Sequence, residues 1–188
     1  MIAKFTKKCL TAIQKLHLHG SSHGNLTANN IFVTKNFDKV KITDYANINS
    51  ILDNIAVVHE MTFVWTNFKK IFEMCILEQK ANKTKPWLGS NKFQLQVFDL
   101  FCLSCCIYQL IAKKPPNFQD DFFTDMLGKR TAQTHKFKCD AFANVSEELY
   151  DYLRLTLCYL PLEFFTDMSL VYGHPFFKKH FKEPYSNF

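Results

Sequence analysis

Arginine is almost missing from this chain. Only Arg130 and Arg154 carry a guanidinium, so the formal net charge of +6 is a lysine charge. Nucleic-acid surfaces rely on arginine forks and aromatic platforms, so we read the excess as a solvated lysine surface and expect no nucleic-acid partner. High lysine and asparagine with little arginine also fits an AT-rich codon bias, which carries no function. A bilayer-length apolar run is the second absence in this reading, and no membrane span is expected. The third is a secretory signal: Met1-Ile2-Ala3-Lys4-Phe5-Thr6-Lys7-Lys8 has no apolar h-region. That segment is basic and amphipathic, so organellar import stands beside a helix of the fold as its alternative reading, and a cytoplasmic, reducing location is expected. A metal-binding spacing is the fourth absence. The chain has seven cysteines, an odd number. Cys102-x-x-Cys105-Cys106 lies inside an apolar helical pattern with no second ligand pair, so these are read as reduced, buried thiols with no metal or redox role.

What is present is enough apolar material for a core. With 188 residues and 47% hydrophobic content the chain suits one domain or a domain and a half, and can bury a real core. Ile2, Phe5, Cys9, Ala12, Ile13 and Leu16 recur at helical spacing over residues 2–18, and Gly20 is a stop signal. His23 to Asn30 is rich in loop formers. The apolar run Ile31 to Val33, the polar turn Lys35-Asn36-Phe37-Asp38 and the alternating Val40-Lys41-Ile42 then read as a small β-hairpin. Asn25 and Asn30 before it and Asp44 after it would converge at its mouth. Phe68, Ile71, Phe72, Cys75 and Ile76 predict an amphipathic helix over 66–79, with Thr66 and Asn67 as caps. It either packs on the body of the domain or acts as a lid. Residues 96–112 are apolar nearly all round and predict a helix buried on most sides. Asp99 within it needs buried hydrogen-bond donors, which makes it structural and not a general acid. A short helix is expected around 121–127. Another starts at the cap Ser146, has Glu147 and Glu148 in its first turn, continues through Leu157 and ends at Pro161. The predicted fold class is mainly α with one small β-hairpin.

The order His23-Gly24-Asn25-Leu26-Thr27-Ala28-Asn29-Asn30, a hairpin, then Asp44-Tyr45-Ala46 resembles the catalytic and metal loops of protein kinases, H-R-D-L-x-x-x-N and D-F-G. Further matches follow. Asp99 stands where the family's central helix has the Asp that binds the backbone of the catalytic loop. Lys113-Lys114-Pro115-Pro116-Asn117-Phe118 is similar to the turn after that helix, and His174-Pro175-Phe176-Phe177 to the closing motif of Ser/Thr kinase domains. The resemblance covers residues 2–182 and is to the large, C-terminal lobe alone. It divides a single domain, 1–188, into a leading helix (1–20), degenerate catalytic and metal loops with the hairpin (21–46), an atypical activation segment (47–95) and the remaining helices of a kinase-like helical bundle (96–182). No glycine-rich phosphate loop, phosphate-binding lysine strand or other part of the small lobe is matched. Over 47–95 only Pro86 of Lys85-Pro86-Trp87 fits A-P-E. The family's buried Arg–Glu pair falls on Phe165 and Trp87, a loss of both charges that burial tolerates.

The departures within the motif bear on activity. Asn25 stands at the catalytic Asp and Thr27 at the phosphate-facing Lys, while Gly24 replaces the Arg that reads a phosphorylated activation loop. Asn30 and Asp44 keep the metal positions. His23 falls on a loop-supporting residue that would stack under Tyr45, so His23, Tyr45 and Asp99 are read as structural. A similar H-G-N-L loop occurs in the kinase-homology regions of receptor guanylyl cyclases, which are pseudokinases. The resemblance therefore implies an inactive pseudokinase lobe, not an enzyme, acting as a protein-binding, scaffolding or structural subunit. It implies no required cofactor, residual Mg-ATP contact at Asn30 and Asp44 being the exception weighed. It also implies a protein partner, a kinase or a larger assembly, over the surface that normally faces the small lobe. The alternative is a nucleotide-binding or residual phosphotransferase protein completed by a second chain, and a third reading is a decayed fragment. Charges spread through 96–112 would mark decay, and that stretch holds only Asp99.

Overall fold

The computed structural model describes residues 1–44, 64, 66–69, 73, 91–117, 140–159, 170–171 and 173–180. Tyr45, the Lys85-Pro86-Trp87 stretch, the expected helix around 121–127, Pro161 and Phe165 lie outside the described residues.

The described fold is mainly helical with one two-stranded antiparallel sheet. Helix α1 spans Ile2–Leu18 and buries Ala3, Phe5, Thr6, Cys9, Leu10 and Ile13, the stripe its period prescribes. It ends in a Schellman motif. Gly20 adopts φ 75°, its N–H bonds the His17 carbonyl at 2.8 Å, and the Ser21 N–H reaches back to Leu16 at 3.1 Å. A residue with a Cβ would be strained at that φ, so glycine defines the end of the helix.

A short 3-10 turn, Ala28–Asn30, feeds strand β1 (Ile31–Val33), which pairs with β2 (Val40–Ile42) in the register Ile31 with Ile42, Phe32 with Lys41 and Val33 with Val40. Ile31, Val40 and Ile42 turn toward the core. The Thr34 hydroxyl accepts the N–H groups of Asp38 and Lys39 at 3.0 and 3.1 Å, which closes the turn between the strands. The turn is fixed to α1 by an ion pair between Lys4 and Asp38 and by Phe37, whose ring meets Phe5 edge-on at 5.9 Å.

Helix α2, Asn91–Ala112, is the centre of the core: every residue from 97 to 108 is buried. Two expectations change here. The helix starts at Asn91, five residues before the apolar pattern does. Its stretch Leu95–Ala112 is also long and apolar enough, by length and composition, to cross a membrane, although 61% of it is buried inside the fold. Gln96, Asp99, Ser104 and Gln109 interrupt the contiguous apolar run, which hid that length from a reading of runs.

Val64, residues 66–69 and Glu73 are helical. Thr66 and Asn67 are themselves helical, so neither stands in the cap position the sequence predicts. Phe68 is buried between Phe98 and Phe101 of α2 at 5.2 and 5.6 Å, so the described part of this helix packs on the core.

Helix α3, Glu147–Arg154, begins as its sequence dictates. The Ser146 hydroxyl accepts the Leu149 N–H at 3.3 Å, and acids occupy the first turn, where the helix dipole favours them. Glu148 is held at about 2 by hydrogen bonds, the largest from Lys179, whose ammonium lies 2.7 Å away. The chain does not continue as regular α-helix: Leu155–Tyr159 widens into a π turn. There the Thr156 hydroxyl donates to the Tyr152 carbonyl at 2.9 Å. Helix α4, Pro175–His180, buries Phe176 and Phe177 against Tyr152 at 5.6 and 5.3 Å, which closes the core.

Phe68→Ala is expected to cost about 3–5 kcal/mol, because it opens a cavity beneath α2 where two other rings lose their partner. Urea unfolding of the variant checks this. A midpoint equal to wild type would mean that the 66–69 helix does not belong to the core.

Candidate functional site

The site grows from one charge in an apolar helix. Asp99 is wholly buried in α2, and an unpaired carboxylate there would be expelled. It is compensated by three donors. The His23 and Gly24 backbone N–H groups reach Oδ2 and Oδ1 at 2.7 and 2.8 Å, and His17 Nε2 reaches Oδ2 at 2.9 Å. Gly24 sits at φ 74°, a conformation that lets successive amides aim at one anion and that a Cβ would oppose. Gln96, three residues before Asp99 and so on the same helix face, donates to the His17 carbonyl at 3.2 Å. The end of α1 and the loop after it are thus clamped to α2.

His23 adds a second clamp. Its Nδ1 accepts the Asn25 N–H at 3.3 Å, which leaves Nε2 to carry the proton it donates to the Thr43 carbonyl at 3.0 Å. The buried ring thereby joins the loop to the end of the hairpin. His174 has the same arrangement elsewhere. Its Nδ1 accepts the Phe176 N–H at 3.2 Å, and its Nε2 donates to Asp151 Oδ2, also at 3.2 Å. Burial lowers the pKa of both rings. For His23 the nearby Asp99 opposes the shift, and for His174 the bond to Asp151 does.

Asn25, Asn30 and Asp44 meet at the mouth of the hairpin. The Asn30 amide donates to the Asn25 carbonyl at 2.9 Å, and the Asn25 amide points to the Asp44 carbonyl at 3.4 Å. The Asn30 carbonyl takes the Thr43 N–H at 2.9 Å, and the Thr27 carbonyl takes the Asn30 N–H at 3.1 Å. Thr27 is half-buried in extended backbone. Asp44 is exposed, in the left-handed region at φ 57°. Tyr45, the expected cover for His23, lies outside the described residues. The mouth therefore presents two amides and one exposed carboxylate.

The thiols stand apart from this site. Cys9, Cys102, Cys105 and Cys106 are free and buried. Burial is the main cause that pushes every one of them upward, Cys106 to about 12, so they stay as protonated thiols. Among the described residues no group of three or more His, Cys, Asp or Glu side chains is placed to hold a metal ion.

The chain pattern did not reveal that His17 and Gln96 serve Asp99, nor that His174 serves Asp151. The signals were there: His17 lies in the last turn of α1, Gln96 is one turn from Asp99, and His174 immediately precedes a helix. Pairing them required knowing which helices touch.

Asp99→Ala strands two loop amides and removes charge-assisted bonds, so a loss of about 2–4 kcal/mol is expected in urea unfolding. An unchanged midpoint would contradict the clamp. The histidines predict a pH dependence. The ordinary histidine value is 6.5, and both rings lie below it in the folded chain. The unfolded state then binds protons more readily, so stability is complete above about 6.5 and is lost as pH falls through the lowered folded values. Thermal melts below that value should show a falling midpoint that His23→Gln and His174→Gln each flatten, and a profile the variants leave unaltered would count against this assignment. No protein-family model matches the chain.

Proposed function

We propose that this chain is a degenerate protein-kinase-like large lobe, catalytically inactive, that serves as a protein-binding or structural subunit. The observation that carries the reading is Asn25. It occupies the position of the catalytic carboxylate, and its neutral amide is turned as a donor toward the Asp44 carbonyl. Phosphoryl transfer needs a carboxylate or equivalent group to orient the nucleophile and accept its proton, together with cations that clamp the phosphates. An amide that donates a hydrogen bond performs neither task. Thr27 likewise offers a hydroxyl where a phosphate-facing ammonium would stand.

The clamp on Asp99 supports the family reading independently of activity. A buried carboxylate that receives the amides of His23 and Gly24, with a hairpin that returns to the same histidine, performs the scaffolding role the resemblance assigns to that residue. The scaffold is kept while the reactive group is replaced. That combination suits a protein retained for its shape.

Asp44 and Asn30 would hold a nucleotide-bound magnesium ion only where phosphates complete its shell. Such ions want oxygen ligands in near-octahedral order, usually carboxylates and phosphates. The mouth offers one carboxylate, Asp44, and the oxygen of Asn30, whose amide nitrogen is already committed to the loop. When bound, Mg-ATP would supply the phosphates that complete such a site; these residues would only orient it. The competing reading, a nucleotide-binding protein completed by a second chain, rests on those same two positions.

Purified protein is expected to transfer no phosphate from Mg-ATP to generic substrates or to itself. Mg-ATP at about millimolar concentration should leave its melting temperature unchanged, since a lone metal–phosphate contact lies near that affinity. Phosphotransfer, or a nucleotide-dependent rise in melting temperature, that Asp44→Ala abolishes would overturn the proposal and favour the competing reading.

A further inference from the structure

The hairpin has two unlike faces. Ile31, Val40 and Ile42 pack on the core, whereas Phe32 and Thr34 on the other face stand opposite Lys41 and Lys39. Phe32 is 58% exposed and its neighbour Val33 is 42% exposed, among the few large apolar side chains that the described fold leaves in water. Phe32 therefore presents an apolar ring that the described residues leave largely uncovered.

The strands and the turn between them carry three lysines and one acid. Lys35, Lys39 and Lys41 are all exposed, and among the described residues none of them has an ion-pair partner. The only acid between the strands, Asp38, is already held by Lys4 of α1, with Lys8 nearby on the same side. Among the described residues the outer face of the hairpin is therefore an aromatic ring bordered by lysines without an ion-pair partner, with the exposed Asp44 beyond the end of β2.

We infer that the outer face of this hairpin docks an acidic segment of a partner protein, which seats an apolar side chain on Phe32 and carboxylates on Lys35, Lys39 and Lys41. This rests on the protein-binding reading above and adds the partner's chemistry. A second copy of this chain is a poor occupant, because symmetric pairing would set lysine against lysine. An RNA is a poor one because the patch has no arginine fork and a single ring. A membrane surface would gain little from one phenylalanine.

The test uses the full chain and four probes: a labelled peptide of Asp, Glu, Leu and Phe, the same peptide with Lys in place of its acids, an oligouridine, and vesicles containing phosphatidylserine. The acidic peptide should bind, lose affinity steeply with added salt, and weaken about tenfold or more in Phe32→Ser and in the double variant Lys39→Glu, Lys41→Glu. Both variants alter exposed positions and should melt like wild type. The lysine peptide should not bind. Equal peptide binding by the double variant would overturn the inference. So would oligouridine or vesicles that bind as tightly as the peptide and respond to the variants in the same way. If a defined protein co-purifies equally well with wild type and the double variant, the protein-binding reading stands and the hairpin is not its site. If neither that protein nor the peptide binds wild type, both fall.

Discussion

The carboxylate of Asp99 is the one charge in the buried stretch of α2 from Val97 to Tyr108, and the geometry of residues 17–44 depends on how it is satisfied. Its donors cannot come from α2, whose amides are spent in the helix. They come from a loop 76 positions earlier in the sequence. Meeting that demand fixes His23 and Gly24, and Gly24 can aim its amide only because it tolerates a positive φ. Once His23 is fixed, its ring reaches Thr43 and holds the far end of the hairpin. The hairpin turn in turn grips α1 through Lys4 and Phe37. Helix, loop and hairpin form a closed circuit of contacts, so loss of the charge would be felt in all three.

In this circuit the residues that hold the loop, His17, His23, Gly24, Gln96 and Asp99, are distinct from those at the mouth of the hairpin. The Asn25 side chain makes only a long contact to the Asp44 carbonyl, so it takes little part in holding the loop. The outward face of the same hairpin, with Phe32 among lysines, is left over from both tasks. In our reading that is where a partner meets the fold.

Much of this was legible in the sequence where the cause is local. The α1 stripe, its glycine stop, the Ser146 cap and the hairpin with its polar turn each follow from residues within one or two turns of one another. Asp99 was legible for a different reason: a lone acid in an apolar helix must have donors. What escaped was tertiary. The early start of α2 at Asn91 precedes its apolar pattern. The π turn at Leu155–Tyr159 interrupts a helical pattern that the residues themselves continue through Leu157. The roles of His17, Gln96 and His174 depend on which helices pack together. The membrane-length stretch in α2 was missed because isolated polar residues break a run without making the helix polar, and two of them, Gln96 and Asp99, have their partners in the α1 end and its loop.

The account stands or falls on whether Asp99 holds the loop in solution as a structural element. Native-state amide hydrogen exchange of His23 and Gly24 tests this most directly. Loop amides bonded only to water exchange freely, whereas amides buried on a carboxylate open only with the surrounding fold. The account predicts that both amides are protected to the same degree as the core amides of α2 between Val97 and Tyr108. Rapid exchange of His23 and Gly24 while those α2 amides remain protected would contradict it.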